Sequence, residues 1–407
     1  MPLRIPIGLD DFRVLREQRL EYVDKSNLIR ELLDRPGVQA IVFPRPRRFG
    51  KTLNLSMLRC WFEKRDEDLS HLFQDLSIWQ AGDEYRAHFQ RYPVLHFSFK
   101  GTKAESFEEC WTAIREKIID LYNEHRYLLE NCRLSEWEIR DYRAMLDGAS
   151  DTTLCRRALL DLSTYLHRHH GEKVVILIDE YDEPIHAGHF HGYAAPIIDF
   201  MRAFFTNGLE TNPHLYRAIV TGVLPIGDES FFFGANDLST YTLLAKQFNT
   251  CFGFTEAEVT ALLERSGRAD TLEAVRTWYN GYLFGGAVIY NPWSVLSFLE
   301  REDENPKPDW LSTSESDLVR ELLQRYTLRL QPVFEALREG GSVDRMLEEN
   351  VILSEIHEVE SALWSLLVFS GYLKAEQMAN DALGQAVHRL SIPNREVRHA
   401  HATTFRN

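Results

Sequence analysis

Two short, uninterrupted apolar runs constrain the fold of this chain most strongly. Residues 174–178 read VVILI and residues 218–220 read AIV, with no alternation between apolar and polar positions. A strand can be apolar at every position only when both of its faces are covered, as in a parallel sheet flanked by helices. Both runs are therefore predicted to be central strands of such a sheet.

Strand-like runs alternate with amphipathic stretches over the first 225 residues. Strands are predicted over 38–43, 94–99, 174–178 and 216–220, and helices over 106–130, over 153–169 and from Lys51 onward. This alternation is typical of βα units stacked on a parallel sheet. We therefore expect an α/β core over residues 1–245.

The pattern changes after Leu224. Helix signals are found at 255–265, 270–279, 292–300 and 316–326, which predicts a helical, lid-like subdomain over 246–335. Residues 336–407 contain a helix at 358–369 and strand-like pieces at 372–376 and 388–392. They predict a small α+β module. Its order is compatible with a winged helix and equally with other small α+β fragments.

One segment combines a strand end, a glycine, a lysine and a hydroxyl. The run at 38–43 leads into RPRRFGKT and then into the helical sequence LNLSMLRCWFE. A phosphate-binding loop needs converging backbone N–H groups, a lysine for the phosphates and a Ser or Thr hydroxyl for magnesium. Gly50, Lys51 and Thr52 supply these, but Arg45 stands where the strict GxxxxGK[ST] pattern has its first glycine. The alternative is an ordinary turn with a solvated lysine.

A second segment places two carboxylates at the end of a buried strand. Asp179 and Glu180 follow the run at 174–178, and Thr221 ends the next predicted central strand. One carboxylate in such a pair can hold magnesium while the next orients water, with Thr221 as a candidate phosphate or water sensor. The alternative is that the pair simply caps the following helix. Together, the two segments predict a nucleotide site.

Charge and cysteine content limit the partners. The 407-residue chain has a net charge of −15, whereas residues 1–60 hold twelve basic and seven acidic side chains. Arg45, Arg47 and Arg48 lie in that basic part, and their position beside the loop favours phosphate or interface contacts over a solvated run or a nucleic-acid patch. The five cysteines are scattered, and no run is apolar enough for a signal peptide or a membrane span. We expect a cytoplasmic protein with weak or no nucleic-acid binding and no membrane contact.

The chain resembles the AAA-ATPase-like family over nearly its whole length. The resemblance is carried by IPIGLDDFRVLREQRLEYVDKSNLIRELL, RPRRFGKTLNLSML, VVILIDEYDEPI, VTGVLPIGDESFFFGANDL, WYNGYLFGGAVIYNPWSVLSFL and LWSLLVFSGYL. It implies a P-loop NTPase sheet with helices on both faces, and in that family the replacement of the first loop glycine is tolerated. Members usually carry a C-terminal PD-(D/E)XK nuclease domain.

The resemblance also implies roles for individual residues. Those of the nucleotide loop are Arg47, Arg48, Phe49, Gly50, Lys51 and Thr52. Thr52 and Asp179 would hold Mg²⁺, Lys51 and Glu180 would act in catalysis together with Asp179, and Asp182 would be a further acidic member.

Two departures from the family pattern bear on activity. Pro225 and Asp228 stand where relatives carry Arg and Lys in TGxxRIxKES, and no Asp…Glu-x-Lys constellation follows. We expect Mg²⁺-dependent ATP binding with slow hydrolysis in a conformational switch, and no nuclease activity from this chain. The alternative is a nucleotide-gated module that binds protein or DNA and hydrolyses little. A second copy of the chain or another protein is the expected partner besides ATP.

Overall fold

A computed structural model describes residues 3–130, 134–149, 151–225, 238–301, 305–310, 330–349, 360–380 and 385–404. The central element is a five-stranded parallel sheet with the strand order β2, β3, β4, β1, β5. The strands are β1 (Ala40–Pro44), β2 (Val94–Ser98), β3 (Val174–Asp179), β4 (Leu215–Gly222) and β5 (Leu238–Thr240). Every residue of β1 and β3 is buried, so both faces of the sheet are covered.

The four strands predicted from the sequence are confirmed to within two residues. The sequence does not predict β5, because it is only three residues long and none of its side chains is fully buried. Short edge strands of this kind leave little apolar signal.

Helices cover the sheet in two groups. They are α1 (Phe12–Glu17), α2 (Asn27–Leu33), α3 (Lys51–Phe62), α4 (Ser77–Gln80), α5 (Asp83–Arg86), α6 (Phe107–Glu124), α7 (Glu136–Leu146), α8 (Thr152–His170), α9 (Glu183–His191) and α10 (Ala194–Phe205). Helix α3 packs across β2, β3 and β4, while α6, α8 and α10 pack against one another. The side chains of Ser106 and Asp151 cap α6 and α8 by accepting backbone N–H bonds, which places both helices where the sequence predicts them.

The region that follows is less purely helical than predicted. Helices α11 (Glu256–Arg265), α12 (Leu272–Tyr279) and α13 (Pro292–Glu300) match the predictions, and the predicted helix at 316–326 lies outside the described residues. A three-stranded antiparallel sheet accompanies them, formed by β6 (Phe254–Thr255), β7 (Tyr282–Phe284) and β8 (Ala287–Tyr290). Gly285 and Gly286 join β7 to β8 with φ values of 53° and 83°. A two-residue turn with positive φ at both positions forms a tight hairpin. The Gly285-Gly286 pair is therefore the sequence signal for this hairpin, although the sequence-based prediction did not include it.

The last described part is the α+β module that the sequence predicts. It contains α14 (330–338), β9 (Val343–Met346), α15 (Glu360–Phe369), β10 (Lys374–Asn380), β11 (Ala386–Ser391) and α16 (Arg395–Thr404). Its three strands pair in the order β10, β11, β9, and the winged-helix interpretation stays a prediction. Residues 362–369 of α15 are all buried. One apolar core cluster joins this module to the main sheet, so packing does not separate the two, and the predicted domain bounds stay a prediction.

Two further features follow from the described residues. None of their helices is long and apolar enough to cross a bilayer. Their four cysteines, Cys60, Cys110, Cys155 and Cys251, are all buried.

A buried carboxylate ties the C-terminal module to the rest of the chain. Glu396 in α16 accepts backbone N–H bonds from Asp309 at 2.8 Å and Trp310 at 2.9 Å, and a hydroxyl bond from Ser294 at 2.8 Å. Three segments that are distant in sequence therefore meet at one side chain. Burial raises the pKa of Glu396 from 4.5 to about 7.

We expect this junction to make stability depend on pH. Between about pH 4.5 and 7 the native Glu396 holds a proton that the unfolded chain has released, so this residue's contribution to stability falls as pH rises. Glu396→Gln should therefore gain stability relative to the unchanged protein between pH 5 and pH 8, by roughly 2–3 kcal/mol. Urea unfolding of both proteins at the two pH values tests this. A stability difference that does not change with pH would contradict it.

Candidate functional site

The pairing of parallel strands brings the two predicted segments to one edge of the sheet. In the register, Phe43 of β1 lies beside Thr221 of β4, and Ile178 of β3 lies beside Val220. The carboxyl ends of β1, β4 and β3 are therefore neighbours, with β4 in the middle. Ligands of open α/β sheets bind outside these strand ends.

The loop over residues 45–52 connects β1 to α3 through two left-handed residues. Arg48 has φ 68° and Gly50 has φ 82°. Gly50 adopts this conformation without steric cost and stands directly before the first residue of α3. The first N–H groups of a helix have no partner within the helix, and with the helix dipole they favour an anion.

The Lys51 side chain turns back over this loop. Only 4% of Lys51 is exposed, and its Nζ donates to the carbonyl oxygens of Arg45 at 3.1 Å and Pro46 at 3.3 Å. Glu180 Oε1 lies 4.0 Å from the same Nζ. The lysine is thus held in the loop and faces the second predicted segment.

Three side chains from three elements form a continuous hydrogen-bonded row. Thr52 Oγ1 donates to Asp179 Oδ2 at 2.7 Å, and Thr221 Oγ1 donates to Asp179 Oδ1 at 2.5 Å. Asp179 is 1% exposed, so both carboxylate oxygens are occupied inside the protein. The Thr52 hydroxyl and Asp179 carboxylate are oxygen donors of the type Mg²⁺ prefers, and Mg²⁺ commonly takes its other ligands from water and substrate phosphates.

Glu180 lies next to this row in a strained backbone conformation. Its φ is 51°, which is uncommon for a residue with a side chain and recurs at functional sites. Burial raises the pKa of Glu180, and the nearby Lys51 opposes that rise. A carboxylate with a raised pKa is better suited to accept a proton near neutral pH.

Arg45 is not where the sequence interpretation expects it. Its guanidinium is fully buried and donates to the carbonyl oxygens of Pro44 at 2.8 Å and Tyr241 at 2.7 Å. It also lies 5.1 Å from the ring centroid of Phe252 and 5.5 Å from that of Phe284. The expectation of a phosphate or interface contact is therefore wrong for Arg45, because the side chain points under the loop into an aromatic core.

Of the other loop residues, Phe49 is buried and holds the loop in place, whereas Arg47 and Arg48 are accessible to solvent. Phe49 is 1% exposed and packs edge-on against Tyr282, so its side chain anchors the loop. Arg48 is exposed, and its guanidinium lies 4.1 Å from the ring centroid of Trp293 in α13. Arg47 is partly exposed and close enough to Glu180 to influence its charge. Arg47 and Arg48 are thus the loop arginines that can reach solvent or a ligand.

An open pocket, part of whose volume is bulk solvent, lies beside Gly50 on the side of α3 that faces the N-terminal segment. Its lining is mainly apolar. Residues that line it come from the N-terminal segment, α3 and the α11–α13 region, and include Leu9, Leu53, Asn54, Phe254, Pro292 and Leu296. No local sequence pattern indicates this pocket, because its walls come from three stretches that are distant along the chain.

An ion pair between buried Lys25 and half-buried Glu258 joins two of these walls. Lys25 Nζ donates to both carboxylate oxygens of Glu258 at 2.7 Å and to Thr250 O at 2.9 Å. Glu258 also accepts the backbone N–H of Thr255, the N-cap residue directly before α11. The pair therefore ties the N-terminal segment to the α11–α13 region beside the pocket.

The loop also touches the C-terminal module. Gly371 follows α15 with φ 88°, and a Cβ at this position would lie 3.1 Å from Cβ of Pro46. Nothing larger than glycine fits easily between the two segments.

Among the described residues, no group of three or more His, Cys, Asp or Glu side chains forms a metal cluster.

The chain is similar to known proteins at low sequence identity. Over an alignment of 398 residues, the chain is 27% identical to an uncharacterized protein from the vnfD 5′ region of Azotobacter chroococcum mcd 1. The alignment covers 97% of this chain and 68% of that protein. Among solved structures, the Aeropyrum pernix Orc1 protein in complex with DNA matches at 13% identity, over 97% of this chain and 95% of that chain. Its TM-score of 0.27 is too low to support a shared function.

A family model covers the part of the chain that forms the site. The model, described as a predicted AAA-ATPase, matches residues 6–232, which contain loop 45–52, Asp179, Glu180 and Thr221. The match spans more than half of the 407 residues. Hence the chain belongs to the predicted AAA-ATPase family.

Proposed function

We propose that this protein binds ATP with Mg²⁺ at the edge of the main sheet, hydrolyses it slowly, and uses the nucleotide as a conformational switch. The observation that carries the proposal is the row from Thr52 through Asp179 to Thr221, with Lys51 and Glu180 facing each other 4.0 Å apart beside it. Family membership supports the same reaction class.

In this proposal the β- and γ-phosphates lie against loop 45–52. The N-terminus of α3 offers backbone N–H groups, and Lys51 offers a buried cation that carbonyl oxygens now hold in place. A triphosphate is a stronger partner for that cation than two neutral carbonyls. Arg47 and Arg48 supply further positive charge at the rim.

Thr52 and Asp179 would hold Mg²⁺ through their oxygen atoms. When bound, the ion neutralises phosphate charge and polarises the phosphorus–oxygen bonds. Thr221 fixes Asp179 from the opposite side, since it occupies the other carboxylate oxygen. Glu180 would orient water and accept its proton, a role that its raised pKa supports.

The apolar pocket beside Gly50 would take the base and ribose. Its position next to the N-terminus of α3 lets one ligand reach both the pocket and the loop. Because Phe254, Pro292 and Leu296 contribute to the lining, the ligand would contact the α11–α13 region as well as the core. Binding can thus alter how the two parts sit together, which is how a nucleotide biases a two-state protein.

The contact between Pro46 and Gly371 favours the second candidate function, a nucleotide-gated interaction module with little hydrolysis. A shift in loop 45–52 would change the packing of Pro46 against Gly371 and so displace the C-terminal module. A protein partner fits better than DNA, because residues 362–369 of α15 are all buried and the chain is strongly acidic overall. Pro225, which stands at the family's arginine position, also favours slow turnover.

Calorimetric titration tests the binding step. We expect ATP binding that depends on Mg²⁺ and that Lys51→Ala weakens about 10–100-fold, because a charge-assisted bond to phosphate is lost. Lys64→Ala, at an exposed position outside the site, is the matched control and should bind normally. Retained affinity in Lys51→Ala, or no Mg²⁺-dependent binding at all, would overturn the proposal. Steady-state phosphate release then separates the hydrolytic switch from the gated module.

A further inference from the structure

We infer that Asp182 and Tyr181 are positioning residues that fix the segment 221–225, which begins with the last two residues of β4, and so hold Thr221 against Asp179. Asp182 is then neither a Mg²⁺ ligand nor a proton acceptor, although it belongs to the acidic sequence DEYDE. The inference rests on the proposed ATPase function only for its kinetic consequences.

The Asp182 carboxylate is committed to backbone groups. It is 1% exposed, and its Oδ2 accepts the N–H groups of Val223 at 2.8 Å and Leu224 at 3.0 Å. His186, one turn further along α9, lies 3.5 Å from the same oxygen. A buried carboxylate is costly unless it is hydrogen-bonded, so these two amides are the partners that make its burial tolerable.

Tyr181 also makes hydrogen bonds to this segment, through its hydroxyl and its backbone N–H. Its hydroxyl donates to Leu224 O at 2.5 Å, and its backbone N–H donates to Thr221 O at 3.2 Å. The side chain is fully buried. Two consecutive residues after β3 therefore make four hydrogen bonds to three of the residues 221–224, with two of the bonds on Leu224.

Gly222 shows how tight this contact is. A Cβ added there would lie 2.5 Å from a ring carbon of Tyr181 and 2.7 Å from Asp182 Oδ1. The Gly222 carbonyl also accepts the backbone N–H of Arg45 at 3.0 Å. The segment is thus wedged between loop 45–52 and the DEYDE residues, with Thr221 at its start.

The position of Thr221 depends on the hydrogen bonds that hold residues 221–224. Its hydroxyl reaches Asp179 at 2.5 Å, and displacement of the segment by about 1 Å would break that bond. Misplacement on this scale can cost about 100-fold in rate even when no reacting group is removed. Asp182 would therefore influence the reaction through Thr221, without touching the substrate.

Two substitutions distinguish positioning from metal binding. Asparagine keeps one carbonyl oxygen that can accept both amides but loses the charge, whereas alanine loses both. We expect Asp182→Asn to retain kcat within about threefold, and Asp182→Ala to lower kcat about 10–100-fold with the KM for ATP and the Mg²⁺ requirement little changed. Asp120→Ala, at an exposed position in α6, is the control. Equal losses in the asparagine and alanine variants, or a raised Mg²⁺ requirement, would overturn the inference.

Amide hydrogen exchange provides a readout that needs no ATP turnover. In the full chain without nucleotide, the amides of Val223 and Leu224 should exchange at least about tenfold faster in Asp182→Ala than in the unchanged protein, and near normally in Asp182→Asn. If Asp182→Ala fails to fold, Tyr181→Phe takes its place, since it removes only the hydroxyl bond to Leu224. Unchanged exchange in the variant used would reject the positioning role, whereas changed exchange without any ATP hydrolysis would reject only the proposed function.

Discussion

Arg45→Gly restores the strict phosphate-loop pattern, yet it is expected to lower the free energy of unfolding by about 3 kcal/mol or more and to leave ATP affinity no higher. The reason is that Arg45 does not occupy phosphate-binding space. Its buried guanidinium donates to Pro44 O and Tyr241 O and lies between the rings of Phe252 and Phe284. Removing it leaves a cavity and two carbonyls without their donor.

The charge state of Arg45 strengthens this expectation. Burial lowers its pKa to about 10, so the side chain is still protonated at pH 7. Bonds from a charged donor and cation–π contacts away from water are both stronger than their exposed counterparts. The guanidinium thus links the start of the loop to the segment after β5 and to the β7 strand.

Urea unfolding and ATP calorimetry on the same samples measure both effects. Arg47→Gly is the matched control, because Arg47 lies two residues further along the loop but is partly exposed, and it should lose less than about 1 kcal/mol of stability. Arg45→Met keeps apolar volume without the donors and should be intermediate. An Arg45→Gly protein that is as stable as the unchanged chain, or that binds ATP more tightly, would show that Arg45 acts otherwise.

Glu180→Gln is expected to lower ATP turnover about 10²–10⁴-fold while ATP binding stays within a few-fold. Glutamine preserves the size of the side chain but cannot accept a proton from water. Lys51 then faces a neutral group in place of the carboxylate that lies 4.0 Å away, which does not weaken its attraction for phosphate. Single-turnover hydrolysis and calorimetry separate the two effects.

The pH profile adds a second check on Glu180. Because burial raises its pKa, the ionised form is lost as pH falls through a range above that of an ordinary glutamate. Turnover of the unchanged protein should therefore decline on the acid side earlier than an exposed carboxylate would allow, and the residual rate of Glu180→Gln should lack that decline. Glu183→Gln, at the residue directly after Asp182, is a useful comparison. Unchanged turnover in Glu180→Gln would remove Glu180 from the mechanism.

The core of the site was predictable because its residues are locally encoded. Lys51 and Thr52 follow a strand and begin a helix, while Asp179 and Thr221 end apolar runs that had to be central strands. Parallel pairing then places these ends at one edge of the sheet without further information. A local sequence pattern is therefore sufficient to locate a site residue when the strand order alone brings it to the edge of the sheet.

What the sequence did not predict depends on contacts between distant segments. The direction of Arg45 is decided by Tyr241, Phe252 and Phe284, which no local pattern connects to the loop. The Lys25–Glu258 ion pair is of the same kind. Asp182 was recognised only as an acidic residue, since its backbone partners at 223–224 carry no side-chain signature.

The contact of Gly371 with Pro46 has a consequence for how the protein is made. The ribosome produces loop 45–52 early, whereas the segment that packs on it comes near the end of the described chain. At synthesis rates of about 5–20 residues per second, the loop is in the cell for many seconds before its last packing partner emerges. A nascent chain therefore passes through a stage in which loop 45–52 exists but has not yet packed against Gly371. Under the proposed function, a nucleotide bound during that stage would have no C-terminal module to act on.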